Sequence, residues 1–139
     1  MFILDPAFPA TSEPVGELAL CHVRLQSDAR FPWLMLIPRV GSARELEDLR
    51  EVQRAQLMAE ILSAGTAVRA VARAMARPTA KLNIAQLGNV TAQLHVHVIA
   101  RRADDAAWPA PVWGVGAARP YDPAELVLAL AAARAALGL

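Results

Sequence analysis

The chain has 139 residues, 55% of them hydrophobic and 19% charged, with a formal net charge of +1. That length suits one domain, 1–139, with a sizeable core, and that composition argues against extended disorder. The near-neutral charge argues against a nucleic acid polymer or an anionic membrane surface as partner, while leaving room for a small anionic ligand. Cys21 is the single cysteine. No internal disulfide can form, so a cytoplasmic location is expected. The N-terminus shows no secretory pattern, and no apolar run is long enough to span a bilayer.

Residues 1–16 carry Pro6, Pro9, Pro14 and Gly16 and read as irregular, with a short helical turn near the start. Residues 17–25, ELALCHVRL, fit a strand with Leu18, Leu20 and His22 on one face and Ala19, Cys21, Val23 and Leu25 on the other. A turn through Asp28 and Pro32 leads to Trp33–Ile37, a continuous apolar strand buried on both faces and ended by Pro38. Ser42 with Glu45 three residues on has the capping-box spacing, which predicts the start of one long helix. Its stripe includes Leu46, Leu49, Val52, Leu57, Ile61 and Leu62 and runs to about Met75, with Gly65 as an interior weak point and Arg77-Pro78 as the stop.

Residues 81–87, KLNIAQL, predict a third strand, Gly88-Asn89 a turn, and 93–101 a fourth strand. The segment from Trp108 to Gly114 is too proline-rich for regular structure. Asp122 caps a last helix, Pro123 to Leu137, with proline at its favoured first position. Strands, long helix, strands and short helix together favour an α+β fold with an antiparallel sheet.

The chemistry concentrates in QLHVHVI, residues 93–99. Strand alternation places Gln93, His95 and His97 on one face, with Leu94, Val96 and Val98 pointing into a core. A half-exposed strand with a wet polar face accounts for this equally well. Two chemistries suit His-x-His on a stiff element. A metal needs about three protein ligands, and His22, Cys21 and the carboxylates offer no helpful spacing. Imidazole attack on phosphorus needs one unprotonated ring nitrogen, which the ordinary histidine pKa supplies near neutrality.

The run QLHVHVIAR, preceded by LNIAQLGN and followed by WPAPVWG, resembles the signature of the histidine triad (HIT) family, His-φ-His-φ-His-φ-φ with φ apolar. WLMLIPR, residues 33–39, is similar to the family's apolar strand that ends in Ile-Pro and a basic residue. Strand, proline stop, long helix and motif fall in the family's order over about residues 17–105, most like the bacterial diadenosine tetraphosphate hydrolase-like branch. The resemblance implies a HIT-like fold and a homodimer joined edge to edge. It implies hydrolysis of a nucleotide phosphoanhydride or phosphoramidate through a nucleotidyl-histidine intermediate, with no metal or other cofactor. It makes His95 the nucleophile and His97 the phosphate and leaving-group residue. Gln93 replaces the first histidine of the motif, and Trp33 stands where several members have another. A glutamine donates and accepts hydrogen bonds but carries no charge. The alternative is a non-catalytic nucleotide-binding or scaffolding protein with a degenerate triad.

For substrate binding, Asn89 and Thr91 of the short loop 88–92, together with Asn83 and Gln86 of the preceding strand, are the candidates; ordinary turn and strand chemistry explains each as well. Trp33 reads as core. Trp108 and Trp113 suit either a base cover, a subunit seal or tail packing. Asp28 reads as a turn former or a ribose ligand, and Arg101 and Arg102 as phosphate ligands or strand-end solvation. His22 has no assigned role, and Cys21 reads as packing.

Overall fold

A computed structural model describes residues 1–139. Its elements are α1 (Ala7–Thr11), β1 (Ser12–Glu17), β2 (Cys21–Gln26), β3 (Trp33–Pro38), a 3-10 turn (Leu46–Asp48), α2 (Glu51–Ala74), β4 (Lys81–Ala85), β5 (Val96–Arg101) and α3 (Pro123–Leu137). The five strands form one sheet in the order β1-β2-β3-β5-β4, with every neighbouring pair antiparallel. This is the expected α+β architecture. No helix is long and apolar enough to cross a membrane.

Alternation along the strands divides the core in two. Cys21, Val23, Leu25, Leu34, Leu36, Val96 and Val98 face α2 and α3 and form the larger core with Leu57, Ala64, Val68 and Val71 of α2. Trp33, Met35, Ile37 and Ile99 face the other way, where Phe8, Phe31 and Val112 cover part of the sheet. β3 is therefore buried on both faces, as its unbroken apolar run predicts. Gly65 does not break α2. A Cβ there would come within 3.1 Å of Leu82 Cδ1, so the glycine lets the helix lie close to β4.

Several boundaries differ from expectation, and the fourth strand, expected from Gln93, begins only at Val96, with Gln93 to His95 leading into it. Residues 12–17 are a strand, although they contain Pro14 and Gly16. β1 is an edge strand, where a missing N–H is tolerated, and a register shift between Pro14 and Gly16 accommodates the irregularity. The strand expected at 17–25 is accordingly a hairpin corner followed by β2. Ser42 is not the N-cap of the long helix: its φ of 63° is left-handed, whereas an N-cap residue is extended. Asp48 instead accepts the N–H groups of Arg44 and Glu45, both at 2.9 Å, and caps the short 3-10 turn. The long helix begins after Arg50, whose N–H donates to Gln53 Oε1 at 2.9 Å. The third strand stops at Ala85, leaving Gln86 and Leu87 in the loop. Asp122 does precede α3 as expected, and Gly138, with φ of 74°, ends it.

Candidate active site

β5 pairs with β3 so that His97 lies opposite Met35 and Ile99 opposite Trp33. His95 precedes the regular ladder and projects on the same side as His97; the two rings meet edge to face with centroids 4.7 Å apart. Both line an open cavity of about 380 Å³ whose wall includes Phe8 of α1, Trp33 and Met35 of β3, and Trp113 of the proline-rich segment. Loop residues 87–91 close one side of it.

The ring nitrogens are assigned by their partners. His95 Nδ1 is 2.7 Å from the Gln93 carbonyl, which can only accept, so Nδ1 carries the proton. Nε2 of His95 is left with a free lone pair. Trp33 Nε1, which can only donate, is 3.0 Å from His97 Nδ1. His97 Nδ1 is therefore bare and its proton sits on Nε2. One ring thus presents a lone pair and its neighbour an N–H.

Electrostatics keeps both rings neutral. Burial lowers the His95 pKa below the ordinary histidine value, opposed by the contact with the Gln93 carbonyl and by the Asp5 charge. His97 is held at about 3 by burial and by proximity to His95. Aromatic edges pack this pair: Phe8 on His95 at 4.9 Å, and Trp113 and Trp33 on His97 at 4.9 and 5.6 Å.

Loop 88–92 brings backbone donors to the cavity. Gly88, Asn89, Val90 and Thr91 line it, and their N–H groups have no acceptor within the protein. Gly88 adopts φ of 84°, a conformation that favours glycine. A run of free N–H groups beside a histidine pair suits a phosphate oxygen.

Asn89 and Thr91 thus join His95 and His97 around one cavity, and the other candidates do not. Asn83 accepts from Arg101 at 2.8 Å, on the far stretch of β5. Gln86 donates to Leu87 O at 3.3 Å and borders a separate apolar groove. Gln93 spends its amide on the N-terminal segment: Oε1 accepts from Asp5 N and Nε2 donates to Ile3 O, both at 2.8 Å. Asp28 is occupied by Arg30 and by the N–H groups of Arg30 and Arg119. His22 bridges Glu17 and Arg24 outside the cavity. Cys21 is fully buried, and burial together with Glu60 pushes its thiol pKa up, consistent with packing. No group of three or more His, Cys, Asp or Glu side chains is placed to share a metal ion.

Three wall residues escaped the sequence reading. Trp33 is core, at 5% exposure, and also a hydrogen-bond donor to His97. Phe8 and Met35 gave only the signal of apolar residues. The alternation that placed Met35 on one face of its strand did not say that this was the histidine face.

The HIT domain profile matches residues 8–104. Three solved structures resemble the chain over nearly its whole length. A histidine triad protein from Bradyrhizobium japonicum is 43% identical with a TM-score of 0.91, covering 98% of both chains. One from Sinorhizobium meliloti is 38% identical with a TM-score of 0.88, covering 98% of this chain and 97% of that one. One from Marinobacter aquaeolei is 35% identical with a TM-score of 0.87, covering 99% and 97%. A search of curated proteins gave no match. The chain belongs to the histidine triad family. Proteins of that family are typically nucleotide-binding hydrolases or transferases.

Proposed function

We propose that the chain is a cytoplasmic nucleotide hydrolase that cleaves a phosphoanhydride or phosphoramidate, in the manner of the diadenosine tetraphosphate hydrolase-like branch. The observation that carries this reading is the fixed pair of tautomers, with a bare Nε2 on His95 beside the Nε2–H of His97. Nε2 of His95 attacks the α-phosphorus. An N–P bond forms as the P–O or P–N bond to the leaving group breaks, and the leaving group takes the electron pair and then a proton from water. His97 gives its N–H to a phosphoryl oxygen, as do the free N–H groups of loop 88–92. Water then attacks phosphorus, the N–P pair returns to Nε2, and a nucleoside monophosphate leaves. Asn89 and Thr91 add side-chain donors, and the rings of Trp33 and Trp113 offer apolar surface to the base. The group chemistry of the site requires no metal.

The reading includes a homodimer. β4 is an edge strand. Beside it lies an apolar groove formed by Leu46, Met58, Ile61 and Ile84, with Met58 56% and Ile84 50% exposed. An open edge next to an apolar groove suits the same edge of a second subunit.

The test is a panel of dinucleoside polyphosphates, nucleoside phosphoramidates and adenylylated conjugates, with rapid quench and mass spectrometry. A nucleotide trapped on His95 in the native chain, and lost in His95→Ala, is expected. Tight nucleotide binding with no adduct and no turnover across the panel would establish the non-catalytic alternative instead.

A further inference from the structure

We propose that Gln93 is a positioning residue whose side-chain amide latches the N-terminal segment, residues 3–8, against the cavity, and that the latched segment sets His95 for attack. The inference rests on the hydrolase reading for its kinetic consequence, though not for the latch itself.

A primary amide presents one acceptor and one donor side by side. That pair matches two backbone groups of an extended segment, and here it meets Asp5 N–H and Ile3 C=O at 2.8 Å each. The contact joins residues 88 and 90 positions apart in the chain. From the latch the path to the nucleophile is short. Asp5 turns the chain into α1, its carboxylate accepting from Ala7 N at 2.9 Å and its carbonyl from Phe8 N at 3.1 Å. Phe8 is 3% exposed and sets its ring edge-on to His95 at 4.9 Å. The Ser12 hydroxyl fixes the Phe8 carbonyl from the other side, at 2.5 Å. Gln93 also holds His95 directly, through its own carbonyl on Nδ1–H. One residue therefore grips the nucleophile with its backbone and the covering segment with its side chain.

The segment also brings charge. The Asp5 carboxylate acts on His95 against the effect of burial. When Nε2 bonds phosphorus the ring becomes cationic, and a nearby carboxylate favours that form. The two nitrogens of a histidine at position 93 flank Cε1 and point in diverging directions, so the ring cannot present a donor and an acceptor side by side. In this chain the glutamine is thus matched to the segment it holds.

The experiment uses the full chain with Gln93→Ala, Gln93→His, Phe8→Ala and the Gln93→Ala/Phe8→Ala double variant. Two readouts need no activity: amide hydrogen exchange at Asp5, and the His95 ring resonances, which carry the Phe8 ring-current shift. Gln93→Ala and Gln93→His are both expected to expose the Asp5 amide and to move the His95 resonances. With adenosine phosphoramidate as substrate, Gln93→Ala is expected to lower kcat by about ten- to a hundredfold, up to the cost of a 1 Å misplacement, with little change in KM. Added to Phe8→Ala it costs little further, because coupled residues are not additive. Protection at Asp5 and His95 resonances that survive Gln93→Ala would overturn the latch. Effects of Gln93→Ala and Phe8→Ala that multiply would overturn the link to His95. Absence of turnover in the native chain, with the exchange and resonance effects present, would instead overturn the hydrolase reading and leave the latch standing.

Discussion

Trp33 donates its indole N–H to Nδ1 of His97 across 3.0 Å, and both residues are buried. A donor-only group on that nitrogen leaves the imidazole proton only Nε2 to occupy. The relationship spans two adjacent strands, with Trp33 and Met35 of β3 opposite Ile99 and His97 of β5. The stiffness of the sheet is thereby passed to the orientation of one proton. Trp33→Phe keeps an aromatic ring and removes the donor. Its expected result is a loss of kcat of about tenfold or more, smaller than the ~10²–10³ lost when a donor to the transition state itself is removed because the indole acts through His97, and a mixture of His97 tautomers in ¹⁵N spectra. A single Nε2–H tautomer in the variant would show that the indole does not set the proton.

Arg101 governs the wall on which Trp113 sits. Its side chain is 1% exposed and pairs bidentately with Asp105, at 2.7 and 2.9 Å, while also donating to Asn83 Oδ1 and to the Ala110 carbonyl. Burial opposes ionisation of Asp105, but Arg101 and the N–H groups of Arg102, Ala107 and Trp108 outweigh it and hold the carboxyl at about 2. Asp105→Ala leaves a buried guanidinium without its partner, so a loss of about 3–5 kcal/mol is expected. Chemical denaturation at pH 7 measures it. The stabilisation from the lowered pKa is present above the ordinary carboxylate value and disappears as pH falls toward 2. Arg101 is thus a scaffold for the loop, which the sequence left open between phosphate contact and strand-end solvation.

Segments whose local signals agree with their tertiary setting were legible. The Trp33–Ile37 run is all apolar because both faces of β3 are covered, and the alternation at 93–99 survives because one face meets α2 and the other the cavity. Asp122 and Pro123 read correctly because α3 begins with ordinary capping chemistry. β1 was hidden by Pro14, which is tolerated only because the strand is at an edge, a fact of topology rather than of local sequence. The capping spacing at Ser42 was real as a pattern, yet the left-handed backbone there excludes it. Gln93 lies before the first residue of β5 and its partners lie at the other end of the chain, so the local periodicity said nothing of what its side chain would hold. Asn83 and Gln86 share residue types with phosphate ligands, but their positions in β4 and just after it carry them away from the cavity.

The proposed subunit contact can be tested at Ile84. It lies on edge strand β4, half exposed, beside Met58. Ile84→Asp places a charge where the second subunit would bury apolar surface, and edge charges oppose strand pairing. Light scattering coupled to size exclusion is expected to give a dimer for the native chain and a monomer for the variant. A native chain that runs as a monomer at all accessible concentrations would remove the dimer from the proposal. His95 and His97 share one cavity with residues of the same chain, so an isolated subunit of the variant is expected to retain nucleotide binding.

Acid titration separates the two histidines. Attack requires a bare Nε2 on His95, whose pKa burial lowers below the ordinary value of about 6.5. Turnover is therefore expected to persist below pH 6.5 and to fall as pH passes through the lowered value, whereas binding of a non-hydrolysable nucleotide holds across that range, because a protonated ring attracts phosphate. Stability follows the other histidine. His97 takes a proton near pH 6.5 when unfolded but only at about 3 when folded. Between these values the unfolded chain binds more protons, so folding stability decreases as pH falls, by up to about 1.4 kcal/mol per pH unit for this one group. Above pH 6.5 neither state is protonated and the slope from His97 vanishes. His97→Phe retains an aromatic ring and removes the titration, so its urea-unfolding free energy is expected to vary less between pH 6.5 and 4 than that of the native chain. Equal slopes in the two proteins would mean that folding leaves the His97 pKa near its ordinary value, so that below about pH 6.5 the folded chain also holds it protonated. The Nε2–H beside a bare Nε2 would then be a shared positive charge, and His95 would face a cation where the mechanism places a neutral donor.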